Sequence, residues 1–170
     1  MFRRFTFAFM FTFAFSFGGQ IAAFAEGAGD KPFEMAAEGG VLLPSHIYRA
    51  KEVLKGVDVR VGLPTPKGLF ELDGFFANTE GISYRIVSLD YRYDLSLADL
   101  PAFVLFGVHG DFWVPAAPYD SLQYAAGWHF GGGFKQELFG GWSAREDFRY
   151  RLGPGQSMLI GLGLSYQFSN

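Results

Sequence analysis

Apolar and polar residues alternate with a period of two along most of the chain beyond residue 32. From Ser157 to Phe168, one parity reads Met158, Ile160, Leu162, Leu164, Tyr166 and Phe168, and the other Ser157, Leu159, Gly161, Gly163, Ser165 and Gln167. Such alternation marks a β-strand with two unlike faces. Trp142 to Leu152 repeats the pattern, with Trp142, Ala144, Phe148, Tyr150 and Leu152 against Ser143, Arg145, Asp147, Arg149 and Arg151. Only Glu146 breaks its apolar face.

The same rule predicts strands over Tyr124 to Lys135, Phe103 to Trp113, Ile82 to Leu95, Leu69 to Asn78 and Val57 to Leu63. An eighth, Phe33 to Leu43, sets Met35, Ala37, Val41 and Leu43 against Glu34, Glu38 and Gly40. Its middle, Ala36 to Gly40, has little β propensity, but an even strand number is what a closed single-chain barrel needs. Pro64-Thr65-Pro66-Lys67, Asn78-Thr79-Glu80-Gly81, Gly140-Gly141 and Gly153-Pro154-Gly155 carry turn chemistry. Longer connections fall at 44 to 56, 96 to 101 and 114 to 123.

Volume decides which face points outward. An eight-stranded barrel has an interior just wide enough for side chains to fill. The apolar parity carries too many Phe, Tyr, Trp and Leu for that space, whereas glycine, serine and paired charges fit. The bulky set therefore faces out, which only lipid tolerates. Trp128, Trp142, Tyr150, Tyr166 and Phe168 suit the aromatic girdles at the two interfaces. The expected fold is all-β, an eight-stranded antiparallel up-and-down transmembrane barrel.

Composition agrees. Aromatic residues make up 19% of the chain, 23 residues are glycine and none is cysteine, so strand pairing and packing must hold the fold without disulfides. The start, Met1-Phe2-Arg3-Arg4, precedes an apolar run from Phe5 to Phe17 and the small-x-small site Ala23-Phe24-Ala25. This is the form of a secretory signal peptide over 1–25, with cleavage after Ala25 and a barrel domain over 26–170. Removing two arginines leaves twelve basic and seventeen acidic residues. That net charge of −5 argues against a nucleic-acid partner.

The inward parities carry charges of both signs. Asp58, Arg60, Glu71, Asp73, Asp90, Arg92, Asp94, Asp111, Arg145, Asp147, Arg149 and Arg151 form the expected interior network, joined by Glu34, Glu38 and Lys135. In a narrow lumen such groups must pair or hold water. Arg145, Arg149 and Arg151 share one face of a strand, so carboxylates must oppose them; Glu71, Asp73, Asp90 and Asp94 are the candidates, with Asp147 between. His109 and His129 also point inward, with Asp111 two residues from His109; such a set could bind a metal or serve as a general base, but both histidines are assigned to the same network. No catalytic, cofactor or metal site is expected. Facing lipid, Leu162 should reject arginine, whereas inward Gly163 should accept serine.

Three stretches carry a resemblance: Gly127-Trp128-His129-Phe130-Gly131-Gly132-Gly133-Phe134, Trp142-Ser143-Ala144-Arg145-Glu146-Asp147-Phe148-Arg149-Tyr150 and Leu162-Gly163-Leu164-Ser165-Tyr166-Gln167-Phe168. They resemble the last three strands of OmpA-like small outer-membrane barrels. The resemblance implies both termini in the periplasm, insertion by the barrel-assembly machinery and contact with outer-membrane lipid and lipopolysaccharide. It also implies a role in envelope integrity, adhesion or surface recognition. Tyr166 and Phe168 match the family's terminal assembly signal, although Ser169-Asn170 follow where such signals usually end. The peptidoglycan-binding domain of some members has no counterpart here. Two other functions stay open, a small channel and a lipid A-modifying enzyme. The deacylase pattern requires a serine two residues after a histidine, and His129-Phe130-Gly131 and His109-Gly110-Asp111 both lack it.

Overall fold

The computed structural model describes residues 33–44, 53–79, 82–97, 100–114, 121–153 and 155–168. The expected signal peptide lies outside them. Eight strands run as β1 (Phe33–Pro44), β2 (Leu54–Pro64), β3 (Leu69–Thr79), β4 (Ile82–Leu97), β5 (Leu100–Val114), β6 (Gln123–Phe139), β7 (Trp142–Leu152) and β8 (Ser157–Phe168). Each pairs antiparallel with the next, and β1 pairs with β8 from Phe33↔Phe168 to Pro44↔Ser157, so the sheet closes on itself. The pattern predicts β7 and β8 to the residue. β6 runs past its predicted end to Phe139, where a register irregularity between Glu137 and Phe139 lets the strand bend into the turn. Gly140 and Gly141 make that turn with φ of 55° and 84°, backbone that residues with a Cβ rarely adopt.

The strands are staggered. Following the register from Glu34 through Gly62, Glu71, Asp90, Gly107, His129, Arg151 and Ser157 returns to β1 at Pro44, not at Glu34. A shift from position 34 to 44, ten residues around eight strands, makes the strands tilt against the barrel axis. It also brings side chains into contact across the lumen that are far apart in register.

The two faces are as the alternation predicts. Phe106, Val108, Leu162 and Leu164 stand exposed, Leu162 at 65%, while Arg145, Arg149 and Arg151 are each 1% exposed. An exposed apolar belt around a charged interior is the arrangement of a transmembrane barrel, whose lipid-facing band is about 25 Å tall. Aromatic groups gather towards both ends of the belt. Trp142, Tyr166, Phe168 and Phe33 stack successively at 5.0, 4.8 and 5.5 Å near the chain termini. Trp128, Phe130 and Tyr150 do so at 6.1 and 5.7 Å towards the other end.

The lumen is less polar than the parity suggests. At the end away from the termini it is filled by an apolar cluster that includes Leu42, Leu54, Phe75, Ile86 and Leu159, the first three fully buried. Gly40 and Gly56, paired across β1 and β2, leave room for the Phe75 ring: a Cβ on either would lie 2.9 or 2.8 Å from it. One expectation fails here. A Cβ at Gly163 would come 2.1 Å from the Ala37 carbonyl oxygen, so serine does not fit although the position faces inward. Ser165, buried with an unpartnered hydroxyl, is the tolerant inward site.

Leu162→Arg should therefore cost about 2–4 kcal/mol of folding free energy in bilayers, whereas Ser165→Ala should be nearly neutral. Denaturant titrations of refolding into vesicles measure both. Equal tolerance at the two positions would contradict the outward assignment of the apolar parity.

Candidate functional site

The chemistry of the barrel lies in its lumen, where three layers of ionic groups succeed one another along the axis. The layer nearest the termini centres on Glu34 of β1. Its carboxylate accepts from Arg92 at 2.9 and 3.0 Å, from Lys135 Nζ at 2.7 Å and from Gln167 at 3.2 Å. Glu71 takes a bidentate pair from Arg145, 2.6 and 2.9 Å, and a further bond from Arg92 at 2.8 Å. Both guanidiniums lie over the Phe103 ring, at 4.7 and 5.4 Å from its centroid, a cation–π contact strengthened by exclusion from water.

In the middle layer Arg60 is held by three carboxylates, Asp58, Glu38 and Asp147. Arg149 reaches Asp73 at 2.5 Å and Asp90 at 3.1 Å. The layer farthest from the termini joins Arg151 to Asp111 and, at 3.2 Å, to Ser157. Beside it His109 Nδ1 faces His129 Nδ1 at 3.1 Å, and His129 Nε2 bonds Asp90. With a carboxylate on Nε2, His129 keeps its hydrogen there, and His109 donates from Nδ1 to the His129 Nδ1 lone pair.

All twelve residues of the expected network are ion-paired, but the partners differ from the expectation in two respects. Asp94 does not face the arginine row: its side chain is 54% exposed at the mouth and pairs with Arg92 Nε at 2.9 Å. Glu38, from β1, opposes Arg145 at 3.2 Å instead. Sequence reasoning placed the opposing acids on β3 and β4; it left out β1, and also β5, whose Asp111 meets Arg151. The missed signal lies in β8, the strand between β7 and β1, which presents Gly161 and Gly163. A Cβ on Gly161 would lie 2.3 Å from Glu38 Oε2, so glycine lets the β1 carboxylate reach across to β7.

Inside the barrel eight acidic side chains (Glu34, Glu38, Asp58, Glu71, Asp73, Asp90, Asp111 and Asp147) meet six basic ones (Arg60, Arg92, Lys135, Arg145, Arg149 and Arg151). At the terminal end a vestibule of about 460 Å³ is lined by Asp94, Pro101, Phe103, Lys135, Glu137 and Gln167. Among the described residues no set of three or more His, Asp or Glu side chains converges as a metal site. Ser88 stands opposite His109 in the register, but His109 bonds His129, and the serine is buried in the lumen away from lipid.

No known protein family and no curated protein matches the sequence. Solved structures do match the fold. The N-terminal β-barrel domain of Pseudomonas aeruginosa OprF superposes with a TM-score of 0.60 at 18% identity, over 79% of this chain and 97% of that one. The fold is that of the small eight-stranded outer-membrane barrels. Neisserial surface protein A, NspA, gives 0.61 at 16% identity over 80% and 97%. OprG from Pseudomonas aeruginosa gives 0.61 at 11% identity over 85% and 99%.

Breaking a buried ion pair from one side leaves an uncompensated charge. Arg149→Met should therefore destabilise the barrel by about 3–5 kcal/mol, while Arg149→Met combined with Asp73→Asn should recover most of the loss. Unfolding titrations of the single and double variants check this. A double variant no more stable than Arg149→Met would contradict the pairing.

Proposed function

We propose that the protein is a closed, non-conducting barrel of the bacterial outer membrane that serves envelope structure or surface interaction. On this reading a signal peptide exports the chain, and the barrel-assembly machinery inserts it through the terminal strand bearing Tyr166 and Phe168. The observation that carries the proposal is the filled lumen. Arg60, Arg92, Arg145 and Arg149 cross it in bonded layers, and the cluster around Phe75 closes the end away from the termini. Eight strands leave no aqueous channel when the interior is full.

Lipopolysaccharide fits as the surrounding partner. Lys55 and Arg85 are exposed on the outward parities of β2 and β4 at the end away from the termini. With the termini in the periplasm, that end lies in the outer leaflet, where two cations would meet lipid A phosphates. A lipid A-modifying activity draws no support from the lumen, since its one imidazole pair activates no serine.

Planar-bilayer recording on the refolded protein tests the proposal, together with fractionation and a heat-modifiability gel for its location. The expected results are an outer-membrane fraction, a folded form that migrates differently before boiling, and no steady conductance. A stable, ion-selective conductance would replace the structural reading with a channel. Altered lipid A on expression, seen by mass spectrometry, would replace it with an enzyme.

A further inference from the structure

Glu146 of β7 stands exposed on the outward face of the barrel. Trp142 and Tyr150, one from each aromatic girdle, lie four residues before and after it on the same strand. At about 3.3 Å per residue and a strand tilt of about 35–45°, each girdle is about 10 Å away in depth. The carboxyl therefore sits near the middle of the hydrocarbon, beyond the reach of headgroup water. Its neighbours across the strands are Phe134 and Leu162, and along the face Ala144 and Phe148. None of these side chains has a polar atom. Gln136, opposite Ala144 on β6, does not bond it.

Among the described residues Glu146 is the one acidic or basic side chain on the outward face between the girdles. A polar group in hydrocarbon requires a hydrogen-bond partner, and here the partner must come from outside the barrel. Ionisable residues within a membrane face such partners rather than lipid. The outward cations of a neighbouring copy, Lys55 and Arg85, do not serve. They stand at the end away from the termini, at a different depth from Glu146 in copies that share one orientation. A second Glu146 does serve. A carboxyl in its acid form is donor and acceptor at once, so two of them satisfy each other, each O–H donating to the other's carbonyl oxygen. This needs the two groups face to face at equal depth, which a two-fold axis along the bilayer normal supplies.

We propose that the β6–β8 face is the contact between two copies of this barrel in the membrane, related by that axis and joined by a hydrogen-bonded pair of Glu146 carboxyls. The axis passes beside Glu146 and turns Leu162 of one copy, 65% exposed, towards Phe134 of the other, 46% exposed. These two residues flank Glu146 on opposite sides, so the contact is apolar around its hydrogen-bonded centre. Ala144, two residues away along β7, keeps the surface low and lets the copies approach, as small residues do between membrane-embedded elements. The pairing rests on the membrane placement proposed above.

The test uses the full barrel refolded into phospholipid vesicles, with donor or acceptor dye at the N-terminus. Energy transfer between parent copies should persist as the protein is diluted in lipid. Glu146→Leu should weaken association about 5- to 30-fold while the barrel still inserts and keeps its heat-modifiable shift. Glu146→Gln should retain association, because an amide is also donor and acceptor. The chain has no cysteine, so Leu162→Cys copies mixed with Phe134→Cys copies should cross-link, whereas Leu89→Cys copies, altered on β4, should not. Parent barrels that insert but show no energy transfer would overturn the pairing and leave the membrane placement standing; barrels that fail to insert would take both down. A Glu146→Leu barrel that associates like the parent, a Glu146→Gln barrel that stays single, or copies that bind a lysine-bearing transmembrane peptide in place of one another would also overturn the pairing.

Discussion

A strand edge left open in hydrocarbon leaves its N–H and C=O groups without partners, at several kcal/mol each. The rest of this structure depends on avoiding that at one seam, where the first strand meets the last. β1 pairs with β8 along its whole length, although Ala36 to Gly40 would make a poor strand elsewhere. Small residues are what the seam requires. Gly163 lies against the Ala37 backbone, and Gly161 lets the Glu38 carboxylate through. Low β propensity in β1 is thus offset by a fit that larger residues would block.

Closure creates the second constraint. Once eight strands form a tube, the inward parity becomes an interior with almost no water, and each charge there must be matched by a neighbour. The arginines meet this through planar, multi-donor heads that bridge strands: Arg60 joins carboxylates from β1, β2 and β7, and Arg145 joins β7 to β1 and β3. The ten-residue stagger makes these contacts possible by bringing β1, β3 and β7 to one level. Such pairs mainly recover the cost of desolvation. Their consequence is a filled, cross-linked lumen, while apolar packing around Phe75 closes one end without any charge.

Much of this was legible in the sequence because a barrel strand writes its two environments on alternate residues. The boundaries of β7 and β8, the outward placement of Leu162 and the inward placement of the arginine row follow from parity and volume. What parity cannot give is the identity of partners across the lumen. Arg145 with Glu38, and the two histidines with one another, depend on stagger and on which strands carry glycine. Parity also misreads polarity where an inward position is apolar, as at Leu42, Leu54 and Phe75, since alternation weakens when both faces are greasy. Glu146 remains the exception on the outer face. It stands exposed between Phe134 and Leu162 in the register, and nothing within a single barrel answers a carboxyl there.

The central claim is that the lumen is a closed ionic interior, and the guanidinium hydrogens report on it directly. In protein labelled with ¹⁵N-arginine and held in nanodiscs, a closed lumen predicts Nε–H signals from Arg60, Arg92, Arg145, Arg149 and Arg151 that are separately resolved and persist after transfer to D₂O. Arginine signals that coincide at the position of free arginine and vanish at once in D₂O would mean that water threads the barrel, and would contradict the account.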